Sequence, residues 1–271
     1  MRKKWILSLL GLLIVIVYLF PIYWMVVTSL KPTSEIFSDV NIIPTQITLE
    51  SYQTILTQNY PFLTYMKNSL IISIGVTIGN LLLGAPAAYA LARRKITGAL
   101  WMIIFILVVQ MFPSNMLALP LYTIFSKLGL INSLFGVILA DMTLTLPFVI
   151  LILRTSYLNI PLELEDAASI DGCSKWRAFY SIILPLVRPG LLTCAAFSFI
   201  LSWGEFLYAL TFLKQNEMWT ITLGMRQFVG QFGTNWGSMM ALSVLSSLPI
   251  IIIFMATQKY IAGGLSSGAI K

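Results

Sequence analysis

The sequence predicts an all-α polytopic membrane protein with six transmembrane helices. Of its 271 residues, 58% are hydrophobic and only 10% are charged, and its mean hydropathy is +0.88. Soluble domains carry about 25% charged residues. The apolar residues also gather in long runs, and a bilayer core about 30 Å thick needs roughly 20 helical residues to cross it.

Six apolar runs are long enough to be candidate spans, at about residues 6–30, 68–92, 100–117, 134–155, 189–213 and 238–258. Pro113 interrupts the third run. The runs are continuous rather than alternating, which favours helices over a barrel. A helix also satisfies its own backbone hydrogen bonds in lipid. We therefore expect residues 1–271 to form a single transmembrane domain.

The first run differs from a cleaved signal peptide. Arg2, Lys3 and Lys4 provide a basic start, but the apolar stretch from Trp5 to Leu30 is too long, and no small-residue cleavage site follows. With the N-terminus in the cytoplasm, twelve of the 17 basic residues lie in cytoplasmic segments and five in outer segments. The positive-inside rule therefore predicts that both termini are cytoplasmic.

Composition excludes several functions. The chain has no histidine and two cysteines, Cys173 and Cys194, so it offers a poor metal site and no histidine-based catalysis. It has no P-loop and no dinucleotide-binding glycine pattern. The net charge is +7, and the basic residues that produce it flank the spans. This position predicts anionic membrane lipid rather than nucleic acid as the partner. We expect no catalytic residue, metal or bound cofactor, and any ATP must bind another chain.

The predicted cytoplasmic loop at 156–188 concentrates the scarce acids. Four of the ten acidic residues lie in the stretch ELEDAASIDG, beside the smallest side chains. These residues are Glu163, Glu165, Asp166, Ala167, Ala168, Asp171 and Gly172. The small residues would let another surface approach closely, and the acids would meet basic groups on it. The alternative is a solvated loop whose acids only maintain solubility.

Two short helices are expected in this loop. Pro161 suits a first helical turn, Gly172 is a natural stop, and Ser174 can cap the next helix. The second helix has an apolar pattern at i, i+3, i+4 and i+7, which predicts one apolar face. That face would consist of Trp176, Phe179, Tyr180 and Ile183.

The loop resembles the EAA signature of binding-protein-dependent ABC importer permeases. The signature is Glu-Ala-Ala, three residues, Gly, nine residues and then Ile-x-Leu-Pro. DAASIDG, nine residues and IILP match it, with aspartate in place of the usual glutamate. The matching residues are Asp166, Ala167, Ala168, Gly172, Ile182, Leu184 and Pro185.

Further stretches resemble the carbohydrate branch of that family, the maltose-transporter-like permeases. They are SLKPTSEIF, IPLELEDAASIDG, WGEFLYAL and the ending GGLSSGAIK, so the resemblance covers nearly the whole chain. It implies the type I ABC importer permease fold in a prokaryotic inner membrane, and a sugar or oligosaccharide as substrate. The loop would be a coupling helix, scaffolded by Ile182, Leu184 and Pro185, that docks on a cytoplasmic ATPase.

The implied partners are a second homologous permease subunit, two ATPase subunits that bind ATP and Mg²⁺, and an extracytoplasmic solute-binding protein. Two alternatives stay open. One is an ABC permease for a non-sugar solute, such as glycerol phosphate or a polyamine. The other is an ion-coupled secondary transporter, which would need inverted repeats and broken helices that the sequence does not reveal.

Two acids inside predicted spans are candidate substrate-pathway residues. Asp141 and Glu205 lie at similar depths, about 10 and 12 Å from the outer ends of their spans. Trp203 and Tyr208 offer flat aromatic faces for sugar rings, and Asn80 and Gln110 are further polar candidates. The alternative is that the acids pair within the protein and the aromatic side chains serve packing.

Overall fold

The computed structural model describes residues 2–38, 41–57, 60–94, 96–230 and 233–266. It is helical almost throughout these ranges, as predicted. The helices are α1 (Arg2–Ser29), α2 (Glu35–Ser38), α3 (Glu50–Leu56), α4 (Phe62–Arg93), α5 (Ala99–Gln110), α6 (Ser114–Lys127), α7 (Leu134–Leu158), α8 (Glu163–Ile170), α9 (Lys175–Ala178), α10 (Leu184–Leu186), α11 (Arg188–Trp203), α12 (Leu207–Phe212), α13 (Ile221–Gly224) and α14 (Trp236–Ser266).

Short elements connect some of these helices. A π-helical turn spans Phe179–Ile183, and 3₁₀ turns span Asn216–Met218 and Met225–Phe228. Strands β1 (Val229–Gly230) and β2 (Gly233–Thr234) form an antiparallel pair. The C-terminal stretch GGLSSGAIK lies outside the described residues from position 267 onward.

Four helices of the described chain are long and apolar enough to cross a membrane. They are α4, α7, the Ile6–Ser29 part of α1 and the Trp236–Tyr260 part of α14. Two bent pairs provide the rest. The chain bends by 100° between α5 and α6, and by 75° between Lys175–Leu186 and α11. Counting each pair as one span gives up to six, the predicted number.

The third and fifth predicted spans are divided in the structure. The predicted span 100–117 becomes α5 and α6, because Pro113 adopts an extended conformation before α6 begins. The predicted span 189–213 becomes α11 and α12, with a break at 204–206. The sequence indicated the first interruption through Pro113 but not the second.

The described residues form two compact units. The first comprises the residues up to Met66 together with Gly224–Pro249. Within it, the Tyr60 ring lies 5.4 Å from the Tyr65 ring and 5.0 Å from the Phe228 ring. The second unit comprises Lys67–Leu223 and the residues from Ile250 onward.

In the second unit, glycines let α4 approach α7 closely. A Cβ placed on Gly75 would lie 2.6 Å from Ile138, and one on Gly79 would lie 2.7 Å from Met142. Small residues at helix interfaces allow such close packing within membranes.

A group of buried side chains packs the predicted cytoplasmic loop against α4 and α7. Leu153, Tyr157 and Ile183 are fully buried, and Phe179 is 3% exposed. The Tyr89 ring of α4 lies 4.8 Å from Phe179 and 5.5 Å from Tyr157. This packing holds α8 and α9 at the ends of the long helices.

Candidate functional site

The turn between α8 and α9 has the geometry that the sequence predicts. Gly172 adopts a φ of +79°, and Cys173 N donates to Ala168 O at 2.9 Å. With the bond from Gly172 N to Ser169 O at 3.2 Å, this is a Schellman motif. The Ser174 hydroxyl accepts from Arg177 N at 3.3 Å and caps α9. The predicted stop and cap are confirmed.

One face of α8 is open to solvent. Glu163, Asp166, Ala167 and Ile170 follow the i, i+3, i+4, i+7 spacing of a helix surface, and all four are exposed. We call these four residues the α8 face. Ile170 is 86% exposed, which places a large apolar side chain among acids. Asp171 and Gly172 continue the exposed surface, whereas Ala168 is buried.

Glu165 points away from the α8 face and toward α4. Its Oε1 lies 2.8 Å from Arg93 Nε, and its Oε2 accepts from the Tyr89 hydroxyl at 2.8 Å. Arg93 Nη2 also donates to Ile160 O at 2.5 Å. The Arg93 and Glu165 side chains are only 6% and 19% exposed. Glu165 therefore has partners within its own chain in this structure.

The apolar residues after α8 divide into two groups. Phe179 and Ile183 are buried, but Trp176 and Tyr180 are 67% and 59% exposed, with their rings stacked 6.1 Å apart. The single apolar face predicted for these four residues is therefore divided into a buried pair and an exposed pair.

The predicted scaffold residues lie within and just after the π-helical turn at Phe179–Ile183. Ile182 and Leu184 pack, partly buried, against the buried group around Phe179. Pro185 is exposed within α10.

A buried polar cluster joins α4, α7 and α11. Asn80 Nδ2 donates to the Thr145 hydroxyl at 2.7 Å and to the Ser198 hydroxyl at 3.0 Å. The Ser202 hydroxyl donates to Asp141 Oδ2 at 2.7 Å. Each of these five residues, which we call the polar cluster, is at most 6% exposed. The sequence had singled out Asn80 and Asp141 but not their hydroxyl partners.

Glu205 explains the break between α11 and α12. Its carboxylate accepts from the backbone N–H groups of Tyr208 at 2.7 Å and Ala209 at 3.1 Å, which satisfies the start of α12. The Thr222 hydroxyl donates to the Glu205 carbonyl at 2.7 Å. A carboxylate is also favoured at the positive end of a helix.

The remaining pathway candidates differ in exposure. Trp203 is 3% exposed and stacks on Phe199, and Tyr208 is fully buried and stacks on Phe212. Gln110 is exposed at the end of α5. In this conformation Asp141 and Glu205 accept hydrogen bonds from within the protein, and contact with a substrate stays a prediction.

The long apolar helices are typical of a multi-pass membrane protein. A family described as "binding-protein-dependent transport system inner membrane component" matches residues 80–267. The chain belongs to this family. It is therefore a permease component of the inner membrane and not an enzyme.

Relatives match the chain over most of its length. The diacetylchitobiose uptake system permease protein DasC of Streptomyces coelicolor is 38% identical, over 93% of this chain and 91% of the relative. The trehalose/maltose transport system permease protein MalG of Thermococcus litoralis is 37% identical, over 99% and 97%. The trehalose transport system permease protein SugB of Mycobacterium tuberculosis is 36% identical, over 97% and 96%.

A solved structure shares the fold. A bacterial ABC transporter involved in the import of the acidic polysaccharide alginate superposes with a TM-score of 0.81. The match covers 96% of this chain and 98% of the other, at 21% identity. The fold is that of an ABC importer permease.

Proposed function

We propose that the chain is a permease subunit of an ATP-driven importer for a sugar or oligosaccharide, and that it forms half of the translocation pathway. One observation supports the substrate class most directly. The three relatives described above, at 36–38% identity, carry the names of diacetylchitobiose, trehalose/maltose and trehalose systems. A near full-length match at this level favours a related substrate here.

The proposed partners are a second homologous permease subunit, two ATPase subunits that bind ATP and Mg²⁺, and an extracytoplasmic solute-binding protein. The α8 face supports the contact with an ATPase. Its acids suit basic groups on a partner, and Ala167 permits close approach. Ile170, the last residue of α8, supplies an exposed apolar anchor for the contact.

The proposed cycle links ATP to a movement of α8. Closure of the two ATPase subunits would displace the docked helix, and the buried packing around Phe179 would carry this displacement to α4 and α7. The permease pair would then alternate between inward-facing and outward-facing states. A loaded binding protein would favour the outward-facing state, since a ligand shifts an equilibrium by its differential affinity for the two states.

The test is reconstitution of the complex in proteoliposomes. The chain is co-expressed with a candidate second permease, ATPase and binding protein, and uptake of labelled di- and oligosaccharides is measured. We expect uptake only with ATP on the ATPase side and loaded binding protein on the other. A non-hydrolysable ATP analogue and unloaded binding protein are the controls.

The same experiment separates the alternatives. Uptake of glycerol phosphate or a polyamine in place of sugars would contradict the substrate class but retain the ABC mechanism. Uptake by the chain alone, driven by an ion gradient, would contradict the whole proposal.

A further inference from the structure

We propose that Glu165, Arg93 and Tyr89 form a strut that transmits displacement of α8 to α4. The inference rests on the proposed function, because it assigns the path by which a docked ATPase moves the translocation helices. Arg93 and Tyr89 would be positioning residues that act through α8. Glu165 would belong to this path rather than to the contact with the ATPase.

The first argument is the direction of the Glu165 side chain. Glu163, Glu165 and Asp166 all lie in the first turn of α8. Glu163 and Asp166 are exposed, whereas both Glu165 carboxylate oxygens meet α4 side chains at 2.8 Å. A push on the exposed side of α8 would therefore load the Glu165 contacts on the opposite side.

The second argument is the number of contacts between the loop and the last turn of α4. Arg93 is the last residue of α4, and it binds both Glu165 and the Ile160 carbonyl, which precedes α8. Tyr89 lies one turn earlier on the same side, since residues four apart share a helix surface. Its hydroxyl binds Glu165 and its ring packs on Phe179, which follows α9. Both ends of the loop are thus tied to one turn of α4.

The third argument is the shielding of the ion pair. An exposed salt bridge contributes little, because water and salt screen it. The Arg93 and Glu165 side chains are 6% and 19% exposed, and Arg93 Nη2 has its own acceptor. Removing one partner would leave the other charge buried and without compensation. The pair therefore resists separation when α8 moves.

The fourth argument is that α4 also connects to α7 and α11 at a position far from Arg93. Asn80 lies 13 residues before Arg93, about 20 Å along a helix. It joins α4 to α7 and α11 through the Thr145 and Ser198 hydroxyls. A displacement received at Arg93 would therefore reach the polar cluster through one continuous helix.

The test measures sugar transported per ATP hydrolysed in proteoliposomes containing equal amounts of assembled complex. Glu165→Gln removes the ion pair, Tyr89→Phe removes only the hydroxyl, and Arg93→Glu with Glu165→Arg exchanges the charges. Glu217→Gln, at an exposed acid of another segment, and Tyr18→Phe, at an exposed tyrosine of α1, are the matched controls.

We expect Glu165→Gln to retain its ATPase subunits and to hydrolyse ATP, but to transport at least about tenfold less sugar per ATP. This lies within the fold-changes of about 5–150 that allosteric coupling typically produces. Tyr89→Phe should lose less, and the charge exchange should recover most of the wild-type ratio. A merely structural salt bridge would change the yield of complex and not this ratio.

Three results would overturn the strut. One is a wild-type ratio in Glu165→Gln, and another is an exchanged pair that stays as uncoupled as the single variant. The third is loss of the ATPase from Glu165→Gln, which would make Glu165 a docking residue. A wild-type complex without uptake would instead overturn the proposed function and the strut with it.

Discussion

The α8 face and the polar cluster both contain acids, but in opposite surroundings. Glu163 and Asp166 are exposed beside Ile170 on a short helix. Asp141 is 1% exposed and accepts a hydrogen bond from Ser202. An exposed carboxylate can recruit a second molecule, whereas a buried one must find its partners within the chain. The comparison separates residues that meet other subunits from residues that connect helices.

The largest expected effect is all-or-none labelling, which tests the side of the membrane on which α8 lies. Native Cys173 is partly exposed and Cys194 is buried. An impermeant maleimide should label Cys173 from the cytoplasmic side only. Thr54→Cys, at an exposed position of α3 in a Cys173→Ser background, should be labelled from the outside only. The reverse pattern would contradict the topology and remove the α8 face from contact with any cytoplasmic ATPase.

The next effect is charge reversal beside the α8 face. Asp171→Lys leaves the Gly172 turn unchanged but opposes basic groups on the proposed ATPase. Like charges in contact cost several kcal/mol, so we expect at least about a hundredfold weaker binding. The measurement is co-purification of the ATPase with the permease. Glu50→Lys, at an exposed position of α3, is the control. Equal co-purification of the ATPase with both variants would mean that Asp171 lies outside the interface.

A smaller effect is expected from Gly172→Val. A Cβ at Gly172 would meet no atom within 4 Å, so the cost comes from the φ of +79° alone. That strain is about 1–2 kcal/mol. It should reduce binding-protein-stimulated ATP hydrolysis about 5–30-fold, while insertion and pairing with the second permease persist. Gly129 has a similar φ of +69°, and a Cβ there would also meet no atom within 4 Å, so Gly129→Val serves as the control. Unchanged stimulation in Gly172→Val would favour a loop that only connects two spans.

The smallest effect concerns the polar cluster. Asp141→Asn keeps an acceptor for the Ser202 hydroxyl and removes the charge. Hydrogen bonds between membrane helices contribute about 0.6–2 kcal/mol, so assembly should persist while uptake falls severalfold. Ser202→Ala, which removes the donor, should lower the melting temperature of the purified subunit more than Asp141→Asn does. Normal uptake by Asp141→Asn would exclude Asp141 from the substrate pathway.

Local signals explain what the sequence predicted well. The α8 stop at Gly172 and the α9 cap at Ser174 depend on hydrogen bonds between residues a few positions apart. The apolar runs likewise predicted the long helices. The motif that predicted the family also lies within one loop.

Long-range contacts explain what the sequence did not predict. The inward direction of Glu165 depends on Arg93, which lies 72 positions earlier, and no pattern within the loop indicates it. The hydroxyls of Ser198 and Ser202 lie one turn apart on α11, a spacing that would have indicated a polar stripe. The break after Trp203 had a visible signal in Gly204 followed by an acid able to cap a helix.

The π-helical turn at Phe179–Ile183 influences how this loop tolerates changes in chain length. A π turn accommodates one more residue than an α-helical turn over nearly the same rotation, whereas each residue of an α-helix rotates the chain by about 100°. Deleting the exposed Ser181 with a return to an α-helical turn would therefore leave the direction of Trp176 relative to buried Ile183 nearly unchanged. The same deletion from a regular α-helix would rotate the aromatic pair by about 100°. The extra residue of this turn therefore lets the loop lose one residue while its exposed surface keeps its orientation.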